Sequence, residues 1–289
     1  MSNMFYKKSM VVVSIVFFGI MHGNLLAYKT TSFVVEILTR NNEDRCASNL
    51  LSVLNQDYDN FRIILINDAS TDFTDVRIKK ILDNHPQGKL VTYIKNKKRI
   101  GAMANHIRAI YSCKDQEVVV QVDGDDLLRH PHVLKKLDEV YQNKDVWVTY
   151  GSHMLLSSGK RGPYSSPIPE QVLKAGTIRR HKWCTSHLRT FYAALFKNIA
   201  LKDFKYKNQF VLVACDIAFM LPIVEMASMH VYYIDDLLYI YNDLSEQNDH
   251  KLHRDLVIAT TNYLRKLPAY RPIVNLFAGK NKNLRKRSL

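Results

Sequence analysis

Short apolar runs alternate with helix-like patterns between residues 32 and 151, and this alternation restricts the fold more than any other feature of the sequence. Five runs predict strands, at 33–38, 62–66, 90–94, 117–122 and 146–150, and the stretches between them predict helices, at 44–55, 72–84, 100–111 and 131–141. Nearly continuous apolar strands are typical of a sheet that is covered on both faces. We therefore predict an α/β fold with a mainly parallel, doubly wound sheet and helices on both of its faces.

The pattern changes in the second half of the chain, where a loop rich in Ser, Gly and Pro covers 157–169. Helices are predicted at 190–199, 216–227 and 249–264, and an extended segment is predicted at 231–241. We expect this second half to form a smaller subregion beside the sheet.

The sequence is strongly basic, with 41 Lys and Arg against 27 Asp and Glu and a formal net charge of +14. Such an excess favours anionic partners: nucleic acid, an acidic membrane surface or a phosphate-bearing small molecule. Eight of the basic residues lie in the tail at 256–289, which contains no acidic residue. The rest of the chain is therefore only modestly basic, and we do not expect a nucleic-acid partner. The tail is predicted to be a solvated charge run or a contact with an anionic membrane surface.

An apolar run at 10–21 follows the basic residues Lys7 and Lys8. A basic segment, a short apolar run and the small residue Ala27 are typical of a secretory signal, and an uncleaved membrane anchor is the alternative. The run is shorter than the ~20 residues that cross a bilayer comfortably. We assign residues 1–30 to a signal peptide or membrane anchor. The protein is thus expected to be exported or membrane-anchored, with the cytoplasmic face of the membrane as the alternative location.

Three carboxylates fall within four residues directly after the fourth predicted strand, in the segment Asp123-Gly124-Asp125-Asp126. Ligands of open α/β sheets bind beyond the carboxyl ends of the strands, so these side chains are expected at that edge. Clustered carboxylates repel one another, and a hard divalent cation such as Mg²⁺ or Mn²⁺ relieves the repulsion. The segment therefore predicts a divalent metal site, and an acidic turn at the start of the next helix is the alternative.

The order and spacing of several segments between residues 32 and 241 resemble a family 2 glycosyltransferase of the GT-A fold type. The matching segments are Ile37–Asn42, Leu50–Tyr58, Ile64–Asp72, Arg99–Ala102 and Asp123–Asp126. The resemblance implies a nucleotide-diphosphate sugar as donor and inversion at the anomeric carbon of the transferred sugar. Relatives that extend long polysaccharides carry a Gln-x-x-Arg-Trp motif, which this sequence lacks. A single addition is therefore expected rather than processive synthesis.

On the donor side, the resemblance implies that Thr39 and Asp68 hold the nucleoside base and that Arg99 neutralises donor phosphate. Asp68 would accept a hydrogen bond from a uracil-type N–H, which favours a UDP-sugar as donor. For the metal, Mn²⁺ or Mg²⁺, the implied residues are Asp123, which contacts ribose or metal, and Asp125 as ligand. Asp126 remains an alternative to Asp125, since some family members use a bare Asp-Asp pair.

On the acceptor side, the segment around Asp216 resembles the catalytic segment of the family, so Asp216 is the candidate general base. A carboxylate there would take the proton of the acceptor hydroxyl as its oxygen attacks the sugar. Glu225, two helical turns further along, is the rival candidate. His187 is a possible contact of metal or phosphate, and Trp183 could stack on a sugar ring through its apolar face.

These interpretations divide the chain into residues 1–30, a catalytic domain at 31–245, and a C-terminal helix with a basic tail at 246–289. Within the catalytic domain, 31–151 is the nucleotide-binding half and 152–245 the acceptor half. The predicted function is metal-dependent, inverting transfer of a sugar to a glycan, lipid or protein acceptor. Two alternatives are a nucleotidyltransferase, which would need a glycine-rich loop after the first strand, and a non-enzymatic, membrane-tethered basic binding protein.

Overall fold

The computed structural model describes residues 29–246 and 252–278 of the 289-residue chain. In these residues the strands are β1 (Phe33–Thr39), β2 (Phe61–Asn67), β3 (Val91–Lys95), β4 (Val118–Asp123), β5 (Leu127–Leu128), β6 (Val148–Leu155), β7 (Arg189–Tyr192), β8 (Lys205–Tyr206), β9 (Gln209–Phe210) and β10 (Val231–Tyr241). The helices are α1 (Cys46–Leu54), α2 (Thr74–Asn84), α3 (Ala102–Tyr111), α4 (Val133–Tyr141), α5 (Glu170–Ala175), α6 (Ala193–Lys197), α7 (Cys215–Ala227) and α8 (Arg254–Lys266). The strands and helices predicted before residue 151 are all present.

One mixed sheet carries the fold, in the strand order β3-β2-β1-β4-β7-β6-β10-β5. The first four strands are parallel to one another, and so are β6 and β10. Strand β7 is antiparallel to both β4 and β6, and β5 is antiparallel to β10. The predicted α/β class with a mostly parallel sheet is therefore confirmed. Because β6, β7 and β10 belong to the same sheet, the two halves of the chain share one framework.

Strand β7 corrects the helix that was predicted to begin at Thr190. Residues Arg189–Tyr192 are extended, and the helix α6 begins only at Ala193. Thr190, Phe191 and Tyr192 are β-branched or aromatic residues, which suit a strand. A place between β4 and β6 satisfies the backbone hydrogen bonds on both edges of this short segment. Tertiary pairing therefore decided a conformation that the helical spacing of the apolar residues had misassigned.

Helices cover both faces of the sheet, and alternate residues of β1 contribute to the two apolar cores. Phe33, Val35 and Ile37 pack with residues of α1, α2 and α4 on one face. Val34 packs on the other face with residues of α3, α6 and α7. This arrangement explains why β1 reads as an apolar run rather than as an alternating pattern, since both of its faces are buried. It also holds the strand ends, where the polar loops begin, in a fixed position.

A buried ion pair between Arg179 and Glu225 of α7 also holds the C-terminal segment. Arg179 donates to both oxygens of Glu225, with N–O distances of 2.6 Å and 2.9 Å, and the Tyr270 amide donates to Glu225 Oε2 at 3.0 Å. The Tyr270 hydroxyl donates to Asp203 at 2.5 Å. Glu225, the rival candidate for the base, is therefore a buried anchor whose two oxygens are already bound. Part of the predicted basic tail is likewise packed structure, since Arg265 donates to the carbonyls of residues 179 and 181.

No helix within the described residues has the length and apolar character that a membrane span requires. The apolar run at 10–21, on which the predicted signal peptide or anchor rests, lies outside the described residues. The same is true of residues 280–287, which hold five of the eight basic residues of the tail.

Candidate active site

The polar loops that follow β1, β2 and β4 meet at one edge of the sheet. In the parallel register, Thr39 lies beside Asn67, and Leu38 lies beside Asp123. Two loop amides extend this pairing, since Asp68 donates to the carbonyl of Thr39 at 2.9 Å and Gly124 donates to that of Leu38 at 3.0 Å. The carboxyl ends of the central strands therefore bring together residues that the sequence separates by more than 80 positions.

Gly124 is required where the loop after β4 passes the end of β1. A Cβ atom at this position would lie 2.5 Å from the Leu38 carbonyl oxygen and 2.6 Å from Thr39 Cβ, closer than non-bonded atoms approach. We expect Gly124→Ala to lower the free energy of unfolding by about 1–3 kcal/mol, because backbone must move to make room. Urea denaturation measures this change.

The control for this substitution is Gly159→Ala, at a surface position with open space around the added methyl group and a φ of +66°. Its cost should be limited to the left-handed backbone, about 1 kcal/mol. If Gly124→Ala unfolds at the same urea concentration as the wild type, the close approach of the two loops is wrong.

Asp68 is buried, and it organises the connection between β3 and α3. Its Oδ1 accepts from the Ile100 amide at 2.9 Å and from Asn96 Nδ2 at 2.8 Å, and its Oδ2 accepts from the Gly101 amide at 2.9 Å. Burial raises the pKa of this carboxyl, but the three hydrogen bonds outweigh burial and lower the pKa below its usual value. Asp68 therefore stays charged and fixes the loop that carries Arg99.

The two other residues predicted on the donor side differ in exposure. Arg99 is exposed on the connection between β3 and α3, free to reach a phosphate group from its anchored loop. Thr39 is buried at the end of β1, and its hydroxyl has no hydrogen-bond partner. A buried hydroxyl without a partner is costly, so Thr39 is suited to a ligand that supplies one.

Hydrogen bonds from Asn49 and Asn242 fix the acidic loop after β4. Asn49 Nδ2 donates to the carbonyl of Asp123 at 2.8 Å and to that of Asp126 at 2.7 Å. The backbone amide of Asn242, at the end of β10, donates to Asp126 Oδ1 at 2.7 Å. The side chain of Asn242 donates to Asp125 Oδ2 at 3.4 Å. Asn242 therefore contacts two of the three carboxylates of the loop through different atoms.

Asp123, Asp126 and His187 form a group that could hold a metal ion. One ligand atom from each lies within 4.8 Å of the others, and Asp125 is not part of this group. Asp126 is fully buried, and its carboxyl is bound by the Asn242 amide and by Tyr239, whereas its Oδ2 atom has no hydrogen bond of normal geometry. Burial, followed by the charges of Asp123 and Asp125, raises the pKa of Asp126 well above its usual value. Burial likewise raises the pKa of Asp123 to about 6.

These properties fit a divalent cation. A carboxylate oxygen that is buried without a partner needs a positive charge or a hydrogen-bond donor, and a cation supplies the charge. Of the two carboxylates that the sequence leaves open as ligands, Asp126 lies in the group with Asp123, and Asp125, the ligand that the family resemblance implies, lies outside it. The metal itself, Mn²⁺ or Mg²⁺, is not distinguished by this set of ligands.

His187 is suited to metal binding because it is held neutral. Its ring stacks on Tyr239 and Tyr241, with centroid distances of 4.6 Å and 5.6 Å, and Nε2 lies 3.9 Å from Asp123 Oδ2. Burial, followed by the positive charge of Arg189, lowers the pKa of His187 well below its usual value. A neutral imidazole is the form that ligates metals.

Asp216 lies in the first turn of α7, after Ala214, which adopts a left-handed conformation with a φ of 55°. Its Oδ2 accepts from Arg189 Nη2 at 2.9 Å, and its Oδ1 accepts from the adjacent Ile217 amide at 2.8 Å. The side chain is 29% exposed, in contrast to Glu225. Of the two candidate bases, only Asp216 is open to an acceptor.

Arg189 is the site residue that sequence reasoning missed. It lies just before the helix predicted at 190–199 and has no role in the sequence-based site, whereas in the structure it begins β7, two residues after His187. In an extended chain, residues two apart share a face, so a strand assignment would have placed Arg189 beside His187. Trp183, by contrast, is partly buried in a small recess with Ile178, Met220 and Arg265, outside the Asp123–Asp126–His187 group.

The fold and the acidic edge of its sheet define a glycosyltransferase of the GT-A type. Two solved structures share this fold. One is S. aureus TarS 1-349 in complex with UDP-GlcNAc (TM-score 0.61, 17% identity, 81% of this chain and 65% of that chain). The other is the mannosyltransferase PcManGT from Pyrobaculum calidifontis in complex with GDP-Man and Mn²⁺ (TM-score 0.57, 16% identity, 84% of this chain and 66% of that chain). The sequence pattern of the family Glycosyl transferase family 2 matches residues 34–204, which are more than half of the chain. The chain belongs to this family.

Two curated relatives resemble parts of the chain. An uncharacterized glycosyltransferase of Haemophilus influenzae is 29% identical over 122 residues, which cover 42% of this chain and 36% of the relative. The putative glycosyltransferase EpsE of Bacillus subtilis is 34% identical over 140 residues, which cover 47% of this chain and 48% of the relative. The matched segments thus span about a third to a half of the length of these relatives.

Proposed function

We propose that the chain is a metal-dependent, inverting glycosyltransferase that moves one sugar from a nucleotide-diphosphate donor to an acceptor hydroxyl. The observation that carries this proposal is the group of Asp123, Asp126 and His187 at the edge of the sheet, with Asp126 buried and lacking a partner for Oδ2. The names of the similar structures support a nucleotide-sugar donor, since TarS is described with UDP-GlcNAc and PcManGT with GDP-Man. Among such donors we favour a UDP-sugar.

The residues of the site divide the chemistry between them. A divalent cation held by Asp123, Asp126 and His187 would stabilise negative charge on the leaving diphosphate. Arg99 would add a second positive charge on the exposed side of the donor phosphates, and Thr39 would offer its unpaired hydroxyl to the nucleoside. These contacts fix the donor, so that the anomeric carbon is presented to the acceptor in one orientation.

Asp216 would act as the general base. Its exposed carboxylate would take the proton from the acceptor hydroxyl while the oxygen attacks the anomeric carbon from the face opposite the diphosphate. Attack from the opposite face inverts the configuration of that carbon. The other carboxylate of α7, Glu225, has no exposed side-chain surface and is held by Arg179, which supports one base and one inversion rather than a double displacement.

The alternatives explain less of the site. A nucleotidyltransferase would need a glycine-rich loop after β1, and residues 39–45 contain no glycine. A non-enzymatic binding protein would not need two carboxylates, one of them fully buried, within 4.8 Å of a histidine, an arrangement that is costly to the fold. Membership of a glycosyltransferase family also favours the enzyme.

A thermal-shift screen of UDP-, GDP- and TDP-sugars, each with and without Mn²⁺, tests this proposal. A ligand present at 100 times its Kd stabilises the folded state by about 2.7 kcal/mol, so a correct donor should raise the melting temperature by several degrees, and more so with Mn²⁺. Release of the nucleoside diphosphate from the same donor then measures turnover. The proposal is wrong if no sugar nucleotide stabilises the protein and none is turned over with Mn²⁺.

Three expectations from the sequence stay predictions. We expect the acceptor to be a glycan, a lipid or a protein. We also expect the basic tail to contact an anionic membrane surface, and residues 1–30 to direct the protein to export or to anchor it in a membrane. The last two depend on residues 1–28 and 279–289, which lie outside the described part of the chain.

A further inference from the structure

Arg189 is a buried arginine whose guanidinium group joins the two sides of the site. It is 4% exposed, and all three of its side-chain nitrogens have partners. Nε donates to the Thr185 carbonyl at 3.0 Å, Nη1 donates to Gln121 Oε1 at 3.3 Å, and Nη2 donates to Asp216 Oδ2 at 2.9 Å. Nη1 also lies 3.4 Å from His187 Nδ1. The guanidinium is therefore fixed in one orientation.

The anchoring partners of Arg189 belong to the sheet and to the loop before β7, whereas Asp216 belongs to a helix. Gln121 lies on β4, directly opposite Arg189 in the antiparallel register, and two residues before Asp123. Asp216 lies in the first turn of α7. Among the described residues, Asp216 is the carboxylate that forms an ion pair with Arg189. The bond at 2.9 Å thus sets the position of the Asp216 carboxylate relative to the acidic edge of the sheet.

We infer that Arg189 is a positioning residue for proton transfer, which holds Asp216 Oδ2 so that Oδ1 faces the acceptor hydroxyl. This inference rests on the proposed function, because it assigns Arg189 a role through the proposed base. Arg189 touches no reacting atom; besides its contact with His187 Nδ1, the role assigned to it is the orientation of Asp216. A planar guanidinium bound at three nitrogens defines direction in a way that a lysine ammonium cannot reproduce.

A second buried arginine provides a comparison on the same helix. Arg179 binds Glu225 at the far end of α7, and Glu225 has no exposed side-chain surface. Both oxygens of Glu225 are bound by Arg179, and the Tyr270 amide donates to one of them as well. That pair has the properties of a structural anchor. The pair of Arg189 with Asp216 differs because the carboxylate is 29% exposed and keeps one oxygen clear of any other side chain.

A kinetic double-mutant cycle with R189K and D216N tests the inference. Release of UDP from UDP-GlcNAc and of GDP from GDP-Man would be measured with Mn²⁺ and with water as the acceptor. In the wild-type background, R189K should lower kcat by about 100-fold, the effect of a catalytic group displaced by about 1 Å, and should leave the donor KM within about threefold. In the D216N background, R189K should change kcat by less than about twofold, since residues that act as a unit are not additive.

The matched control is R179K, which should lower the melting temperature and leave kcat within about twofold of the wild type. If R189K lowers kcat by the same factor with and without Asp216, or leaves kcat unchanged, Arg189 does not act through Asp216 and the inference is wrong. If the wild type turns over neither donor nor any other sugar nucleotide of the thermal-shift screen, the proposed function fails, and the inference fails with it.

A second variant covers the case in which R189K does not fold. R189A leaves a space beneath Asp216 that ethylguanidinium can occupy. Addition of ethylguanidinium at millimolar concentration should restore part of the lost kcat in R189A, and should have no effect on R179A. Restored folding without restored kcat, measured by circular dichroism beside the turnover assay, would contradict a positioning role.

Discussion

Asp216→Asn is expected to lower the rate of sugar transfer by about 10²–10⁴-fold, the contribution of a general base, while the affinity for the donor stays the same. Asn has the shape of Asp but cannot take a proton. Its carbonyl oxygen can still accept the hydrogen bond from Arg189, although the Ile217 amide loses its acceptor, so Arg189 should keep its place beside the first turn of α7. Single-turnover transfer and donor binding by calorimetry separate the two effects.

Glu225→Gln on the same helix is the control for this substitution. Gln keeps the shape of the side chain but weakens the buried pair with Arg179. We expect a loss of stability of up to about 3–5 kcal/mol, the range found when one partner of a buried pair is removed, with kcat per folded molecule unchanged. If Glu225→Gln abolishes transfer and Asp216→Asn does not, the base is Glu225 and the assignment of Asp216 is wrong.

Asp126→Asn is expected to remove the stabilisation of the protein by Mn²⁺ and to reduce turnover by at least about 100-fold, because a ligand charge is lost. In metal-free buffer at pH 7 the variant should melt at the same or a higher temperature than the wild type. Burial raises the pKa of Asp126, so its charge opposes folding, and Asn removes that charge while its Oδ1 still accepts from the Asn242 amide. Melting curves with and without Mn²⁺ measure both effects.

The raised pKa of Asp126 also predicts how the stability of the metal-free protein depends on pH. A carboxyl whose pKa is higher in the folded protein than in the unfolded chain favours folding at low pH, and the benefit is lost as the pH rises through the folded pKa. The metal-free wild type should therefore lose stability relative to Asp126→Asn as the pH rises from 4 to 8. Equal slopes of melting temperature against pH for the two proteins would contradict the burial of a charged Asp126.

Asp125→Asn distinguishes the two possible ligands. Asp125 lies outside the group of Asp123, Asp126 and His187, so its neutralisation should weaken Mn²⁺ binding far less than Asp126→Asn does. Titration of Mn²⁺ by calorimetry compares the two variants directly. A larger loss of affinity in Asp125→Asn would restore the ligand pair that the sequence favoured.

Local patterns were sufficient to predict the framework. The apolar runs predicted β1, β2 and β4, because strands buried on both faces consist mostly of apolar residues. The spacing of apolar residues predicted the helices between them, because a helix buries one face. The acidic segment after β4 could be placed at the edge of the sheet because the ends of parallel strands meet there. The strand β7 escaped prediction because a segment of four residues has too little pattern of its own, and pairing with β4 and β6 decides its conformation.

The sequence by itself determined the α/β class, the family resemblance and the residue types at the edge of the sheet, because these follow from short-range order along the chain. Only the tertiary structure decided which side chains meet. Asp126, and not Asp125, lies in one group with His187. The side chain of Asp216 is partly exposed, whereas that of Glu225 is buried. Arg189 contacts Asp216, from which it is 27 positions away in the sequence. Direction, burial and contact between distant residues depend on how strands and helices pack, and no local pattern records them.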